Sequence, residues 1–239
     1  MRCLLFGDSH LGALRLGNNE LEIEKQIPEA IDLAIRPLGG GHLIPTPFLK
    51  DKGDYAEICN PQYKKRYKRF PLESQDKIIY GIVSPLHSAR LYRHDDFSKY
   101  SPYKTLMDEA PISNALLKQA VIFDIRYLLQ LIDILQRTQQ EVFAIEAPKP
   151  FRHNPCLAKI RPEVVGYVDK FFREYVVSEL KKRSVPIVFL DENWYDSEGF
   201  MLDEFRHENS TDAHHGSTRY GKLMMQRIYA FLQNNYINQ

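Results

Sequence analysis

Five short apolar runs that do not alternate with polar residues constrain this chain more than any other feature. The first is Cys3-Leu4-Leu5-Phe6, which stops at Gly7, and others follow at residues 30–38, 77–84, 142–147 and 186–190. A strand with one face in water alternates, whereas a strand buried on both faces reads as a continuous apolar run. The second run is the least regular, because Asp32 and Pro37 interrupt it. Long amphipathic stretches separate the later runs. Leu117, Val121, Leu128, Ile132 and Leu135 mark one face of residues 113–139. Val165, Val168, Phe172, Tyr175, Val176 and Leu180 mark one face of residues 162–183, and Tyr220, Met224, Ile228, Phe231 and Leu232 mark the final helix. Such stripes are core-facing seams. Buried strands alternating with amphipathic helices predict a three-layer α/β/α sandwich around a five-stranded, mainly parallel sheet.

The chain is 239 residues long and 44% hydrophobic, enough for one well-buried core, and the expected organisation is a single domain over residues 1–239. Two segments, 42–76 and 88–112, fit no element and read as loop insertions. Both follow strand ends, where ligands bind in open α/β sheets, so they are expected to wall or cover a site. Within the first, Lys64-Lys65-Arg66-Tyr67-Lys68-Arg69 reads as a solvated loop, with contact to an anionic substrate or RNA as the other reading. A formal net charge of +1 gives no global field toward nucleic acid or an anionic membrane. Cys3, Cys59 and Cys156 form no metal-like pair and read as idle thiols of a reducing compartment. The opening MRCLLFGDSH is too short in apolar residues for a signal-peptide core. A cytoplasmic protein, or one cloned without its leader, is expected.

Chemistry is concentrated at the two ends. Gly7-Asp8-Ser9-His10 directly follows the first run and precedes a helix. A serine on such a strand-to-helix turn exposes its hydroxyl beside unpaired backbone N–H groups. By itself Gly-Asp-Ser also describes a helix cap. The second constellation, Thr211-Asp212-Ala213-His214-His215-Gly216, lies just before the last helix. An Asp and a His three positions apart can turn the carboxylate toward the ring, which orients a general base for a weak serine nucleophile. His214 reads as a surface histidine whose ring projects to another side of the loop.

Together these blocks resemble the SGNH, or GDSL-like, hydrolases, in which Gly-Asp-Ser follows the first strand and Asp-x-x-His precedes the last helix. The resemblance implies Ser9 as nucleophile, Asp212 as acid and His215 as base. His215-Gly216-Ser217, with Tyr220-Gly221 downstream, also looks like the family's last block. It further implies an oxyanion hole made by the backbone N–H groups of Ser9 and of a glycine after the second strand. Among Gly39-Gly40-Gly41 that glycine is expected to be Gly41, with Gly40 beside it; a flexible turn is the plainer reading of the triplet. After the third strand the family carries Gly-x-Asn-Asp. This chain reads Ile82-Val83-Ser84-Pro85-Leu86-His87-Ser88, without an asparagine, so by position His87 or Ser84 supplies the second donor.

The function implied is hydrolysis of a small acyl ester, such as an O-acetyl group on a carbohydrate, with no cofactor, metal, nucleic-acid or membrane partner. Three other readings stand beside it. The same triad performs acyl transfer if a sugar hydroxyl outcompetes water, and the same fold serves as a non-catalytic binding protein. Asp8-x-His10 also opens a metallophosphoesterase, but the further metal-ligand blocks such a site needs do not occur.

Overall fold

A computed structural model describes residues 1–74, 77–92, 113–153, 162–209, 212 and 214–237. The apolar runs form the strands β1 (Arg2–Phe6), β2 (Asp32–Ile35), β6 (Ile78–Ile82), β7 (Glu141–Ile145) and β8 (Ile187–Val188). They make one sheet in the order β2-β1-β6-β7-β8, and every pairing is parallel. Register puts Leu4 beside Tyr80 and Tyr80 beside Val142. Because successive side chains point to opposite faces, Leu4, Phe6, Tyr80, Ile82 and Val142 enter one core cluster. Cys3, Leu5, Ile79, Phe143 and Ile145 enter the other.

Helices cover both faces. Packed on the second cluster are α1 (Leu11–Ile23) and α6 (Thr218–Tyr236), while α4 (Asn114–Arg137) and α5 (Pro162–Lys182) cover the first. The two-sided cover follows from the strand order. Crossovers from β1 to β2 and from β6 to β7 run in opposite directions across the sheet, and right-handed connections then place their helices on opposite faces. That reversal opens a crevice at the carboxyl ends of β1 and β6. Both Gly7–His10 and Ser84–His87 emerge there.

The α1–α6 crossing has no room for side chains. A Cβ on Gly17 would run into the Lys222 backbone, and one on Gly221 into the Ala13 carbonyl. The two helices therefore touch backbone to backbone. Ser217 caps α6 by accepting from the Tyr220 N–H.

Residues 42–76 are not irregular as expected. They hold a three-stranded antiparallel sheet, β3 (Leu49–Asp51), β4 (Ala56–Ile58) and β5 (Arg69–Phe70), together with the one-turn helix α2 (Pro61–Lys64). Strands of two or three residues are too short to show a period of two. Leu49, Ala56, Ile58 and Phe70 are buried in the main core, and the Phe70 ring stacks on Phe6 with centroids 4.8 Å apart. The segment is a packed portion of the molecule. Of residues 88–112, those up to Tyr92 form the end of a loop and α3 (Ala89–Tyr92); residues 93–112 lie outside the described residues, as does Cys156.

Candidate active site

Gly7 ends β1 with φ of +150°, a conformation that side chains disfavour, and a Cβ there would crowd Ser84 Oγ. The chain turns at this point and leaves Ser9 exposed ahead of α1. Across the crevice, Asp212 accepts from the backbone N–H groups of His214 at 3.2 Å and His215 at 3.1 Å. His215 Nδ1 lies 2.7 Å from Asp212 Oδ2, and its Nε2 lies 2.7 Å from Ser9 Oγ. An ionised carboxylate only accepts, so Nδ1 carries the proton and Nε2 is free to accept from the serine hydroxyl. Partial burial raises the Asp212 carboxyl, but the hydrogen bonds from His215 and the two backbone N–H groups outweigh it and bring the pKa down to about 2. Asp212 is charged at any ordinary pH.

Ser9, Gly40, Gly41, His42, His87, Ala89, Arg90, His214 and His215 line a cavity of about 370 Å³. Gly41 opens a short 3-10 turn, Gly41–Leu43. As the first residue of that turn, its N–H has no acceptor within it. His214 does not turn away, as its neighbour's role would suggest. Its ring faces the same cavity, 3.8 Å from the His215 ring centroid and parallel to His87 at 6.2 Å.

Behind the cavity lies a buried polar chain. His87 Nδ1 is 2.6 Å from Asp8 Oδ2, and His87 Nε2 is 2.9 Å from His10 Nε2. Asp8 also accepts from the His10 N–H, and the Arg90 guanidinium, 3.5 Å away, is held bidentately by Asp124 of α4. Burial alone would raise the Asp8 carboxyl; the hydrogen bond from the His87 ring and the Arg90 guanidinium nearby reverse this and hold it well below the usual range. Burial lowers both His87 and His10, so both are neutral, His10 strongly so with His87 adding to the effect. In the neutral pair His87 donates through Nδ1 to Asp8 and accepts at Nε2 from His10. This leaves His10 Nδ1 a buried lone pair without a hydrogen-bond partner. Both ring nitrogens of His87 are thus occupied, and the role of second oxyanion donor expected of it has no free N–H behind it. Ser84 Oγ is buried and unpaired, but it packs against Gly7 and does not line the cavity.

Among the described residues, two trios could offer metal ligands: Asp8, His10 and His87, and Asp212, His214 and His215. Short hydrogen bonds already use both nitrogens of His87 and Nε2 of His10. A metal between His10 and His87 would have to replace the hydrogen bond that joins their Nε2 atoms at 2.9 Å. In the second trio a metal would compete with Ser9 for His215.

No family model matches the chain, and no curated protein does either. Solved structures do. A GDSL-like lipase from Bacteroides thetaiotaomicron superposes with a TM-score of 0.52 at 9% identity, covering 98% of this chain and 88% of that one. An acetyl xylan esterase superposes with a TM-score of 0.51 at 9% identity, covering 97% and 100%. The fold is that of the SGNH hydrolases. Within this SGNH fold, Ser9 and the Asp212–His215 pair occupy the two chain ends that meet at the sheet's crevice. Sequence reading did not single out Arg90, Asp124 or His42. Asp124 carried a signal, since an acid at residue 124 sits within the apolar face of α4, where burial demands a partner.

Proposed function

We propose that this protein is a serine esterase that hydrolyses small acyl esters. The observation that carries the reading is the continuous hydrogen-bonded chain from Asp212 through His215 to Ser9. In this mechanism His215 Nε2 takes the proton of Ser9 as Oγ attacks the ester carbonyl, and Asp212 stabilises the imidazolium. The N–H groups of Ser9 and Gly41 receive the developing oxyanion. His215 then returns its proton to the departing alcohol and activates water against the acyl-enzyme. The cavity of about 370 Å³, toward the small end for ligand pockets, agrees with a short acyl group. Likeness in fold to an acetyl xylan esterase supports an O-acetyl group on a carbohydrate as substrate. The near-neutral charge agrees with a small-molecule partner, and no described helix is long and apolar enough to cross a membrane.

The test is reaction with an active-site-directed phosphonate followed by mapping of the modified residue. Labelling of Ser9, abolished in Ser9→Ala, is expected. Labelling elsewhere, or none, removes the esterase reading.

A further inference from the structure

The glycine loop that carries Gly41 is held from beneath by the segment around α2. Three side chains of that segment donate to carbonyls of the loop. Tyr67 Oη donates to Arg36 O at 2.6 Å, Arg66 Nη1 to Pro37 O at 3.3 Å, and Tyr63 Oη to Gly40 O at 2.7 Å. The Tyr63 side chain is fully buried, edge-on to the Phe48 ring, and a Cβ on Gly39 would collide with it. Asn60 caps α2 by accepting from the Gln62 and Tyr63 N–H groups. Burial pushes the Tyr63 phenol up, so its hydroxyl stays a donor.

The Gly40 carbonyl and the Gly41 N–H are the two ends of one peptide unit. That unit is planar and trans, so its C=O and N–H point in opposite directions. Holding the oxygen on one side therefore aims the N–H on the other. Three consecutive glycines have the greatest backbone freedom of any such run, and without an anchor the plane could rotate. The Leu43 N–H shares the same carbonyl at 3.1 Å, but it belongs to the loop itself. Tyr63 supplies the anchor from a separate, packed element. A donor on the carbonyl also polarises the peptide and strengthens its N–H.

We propose that Tyr63 is a positioning residue for the reaction, which by anchoring the Gly40 carbonyl aims the Gly41 N–H at the oxyanion. The proposal rests on the esterase reading above. Stabilisation of this kind depends on donors already aimed where charge develops, so a loosened peptide lowers the rate of the chemical step and leaves substrate binding almost unchanged.

Tyr63→Phe keeps the ring and removes only the hydroxyl. On a short acyl ester it should lower kcat by about 10- to 100-fold, with KM within about twofold of the parent. Tyr67→Phe is the control: it removes the same kind of bond from the same segment, but to the carbonyl of a different peptide. It should lose comparable thermal stability and keep kcat within about twofold. Equal kcat losses in the two variants, or an unchanged kcat in Tyr63→Phe while Ser9 is still labelled by the phosphonate, overturns the positioning role alone. Failure of the parent protein to label at Ser9 overturns the esterase reading and this proposal with it. Should Tyr63→Phe not fold, the parent decides: the Gly41 amide proton, followed by NMR, should move downfield when Ser9 is phosphonylated. An unmoved Gly41 amide overturns the proposal.

Discussion

A carboxylate beside each ring fixes the tautomer of His215 and of His87, which turns Nε2 of His215 to Ser9 and Nε2 of His87 to His10. Asp212 accepts a hydrogen bond from His215 Nδ1–H, and Asp8 accepts one from His87 Nδ1–H. His215→Ala should lower kcat by about 10⁴-fold or more, as loss of a triad member does elsewhere. His214→Ala should cost less than about tenfold, because its ring lies beside the path from Ser9 to Asp212 and not within it. Equal losses, measured by steady-state kinetics, would place the base on the wrong residue. The buried pair makes a second prediction. His10 and His87 have folded pKa values below the unfolded histidine value of about 6.5. As pH falls through that value the unfolded chain takes up protons that the folded chain refuses, so stability is full above it and declines below it. The limiting slope is about 1.4 kcal/mol per pH unit for each proton. The depressed carboxyls of Asp8 and Asp212 act only at lower pH. Melting temperature should therefore drop between pH 7 and pH 5, and His10→Asn should flatten that drop. A level profile in the parent would mean the pair is not held neutral.

Among the elements, the α1–α6 crossing joins the two halves of the site. Ser9 lies just before α1 and His215 just before α6, and Gly17 and Gly221 let the helices meet backbone to backbone. Gly221→Ala would raise helix propensity by roughly 1 kcal/mol in an isolated helix. Here the added methyl meets the Ala13 carbonyl, and overpacking outweighs the gain. Denaturant unfolding should show a net loss of about 2 kcal/mol or more, together with lower kcat as the helix ends separate. A stabilised variant with full activity would contradict the packing. Both glycines interrupt otherwise good helical patterns, which is the signal that could have exposed the crossing. The small sheet of residues 49–70 left no such signal, because its strands are held by aromatic packing and not by their own pattern.

For the whole molecule, the strand order reverses beside β1, and that reversal creates the crevice into which Ser9, Gly41, His87 and His215 all open. The proposed chemistry needs only Ser9, His215, Asp212, the Gly41 N–H and water. Hydrolysis of a short acyl ester should therefore persist after EDTA treatment and dialysis. Turnover lost to the chelator and restored by a divalent metal would instead assign Asp8, His10 and His87 to a metal.

The apolar runs and helical stripes determined the layers, because an unbroken apolar run and a period of 3.6 residues are local properties of the chain. They also placed Gly-Asp-Ser after the first strand and Asp-x-x-His before the last helix, which is enough to name Ser9, Asp212 and His215 as candidates. Only the tertiary structure decided that Ser9 and His215, 206 residues apart, lie within a hydrogen bond of each other. It alone showed His87 spent on Asp8 and His10, His214 turned into the cavity, and Tyr63 beneath the glycine loop. Those outcomes depend on the direction of individual hydrogen bonds between segments distant in sequence. No local pattern of side chains encodes such directions; they arise when the sheet order brings the segments to one end of the sheet.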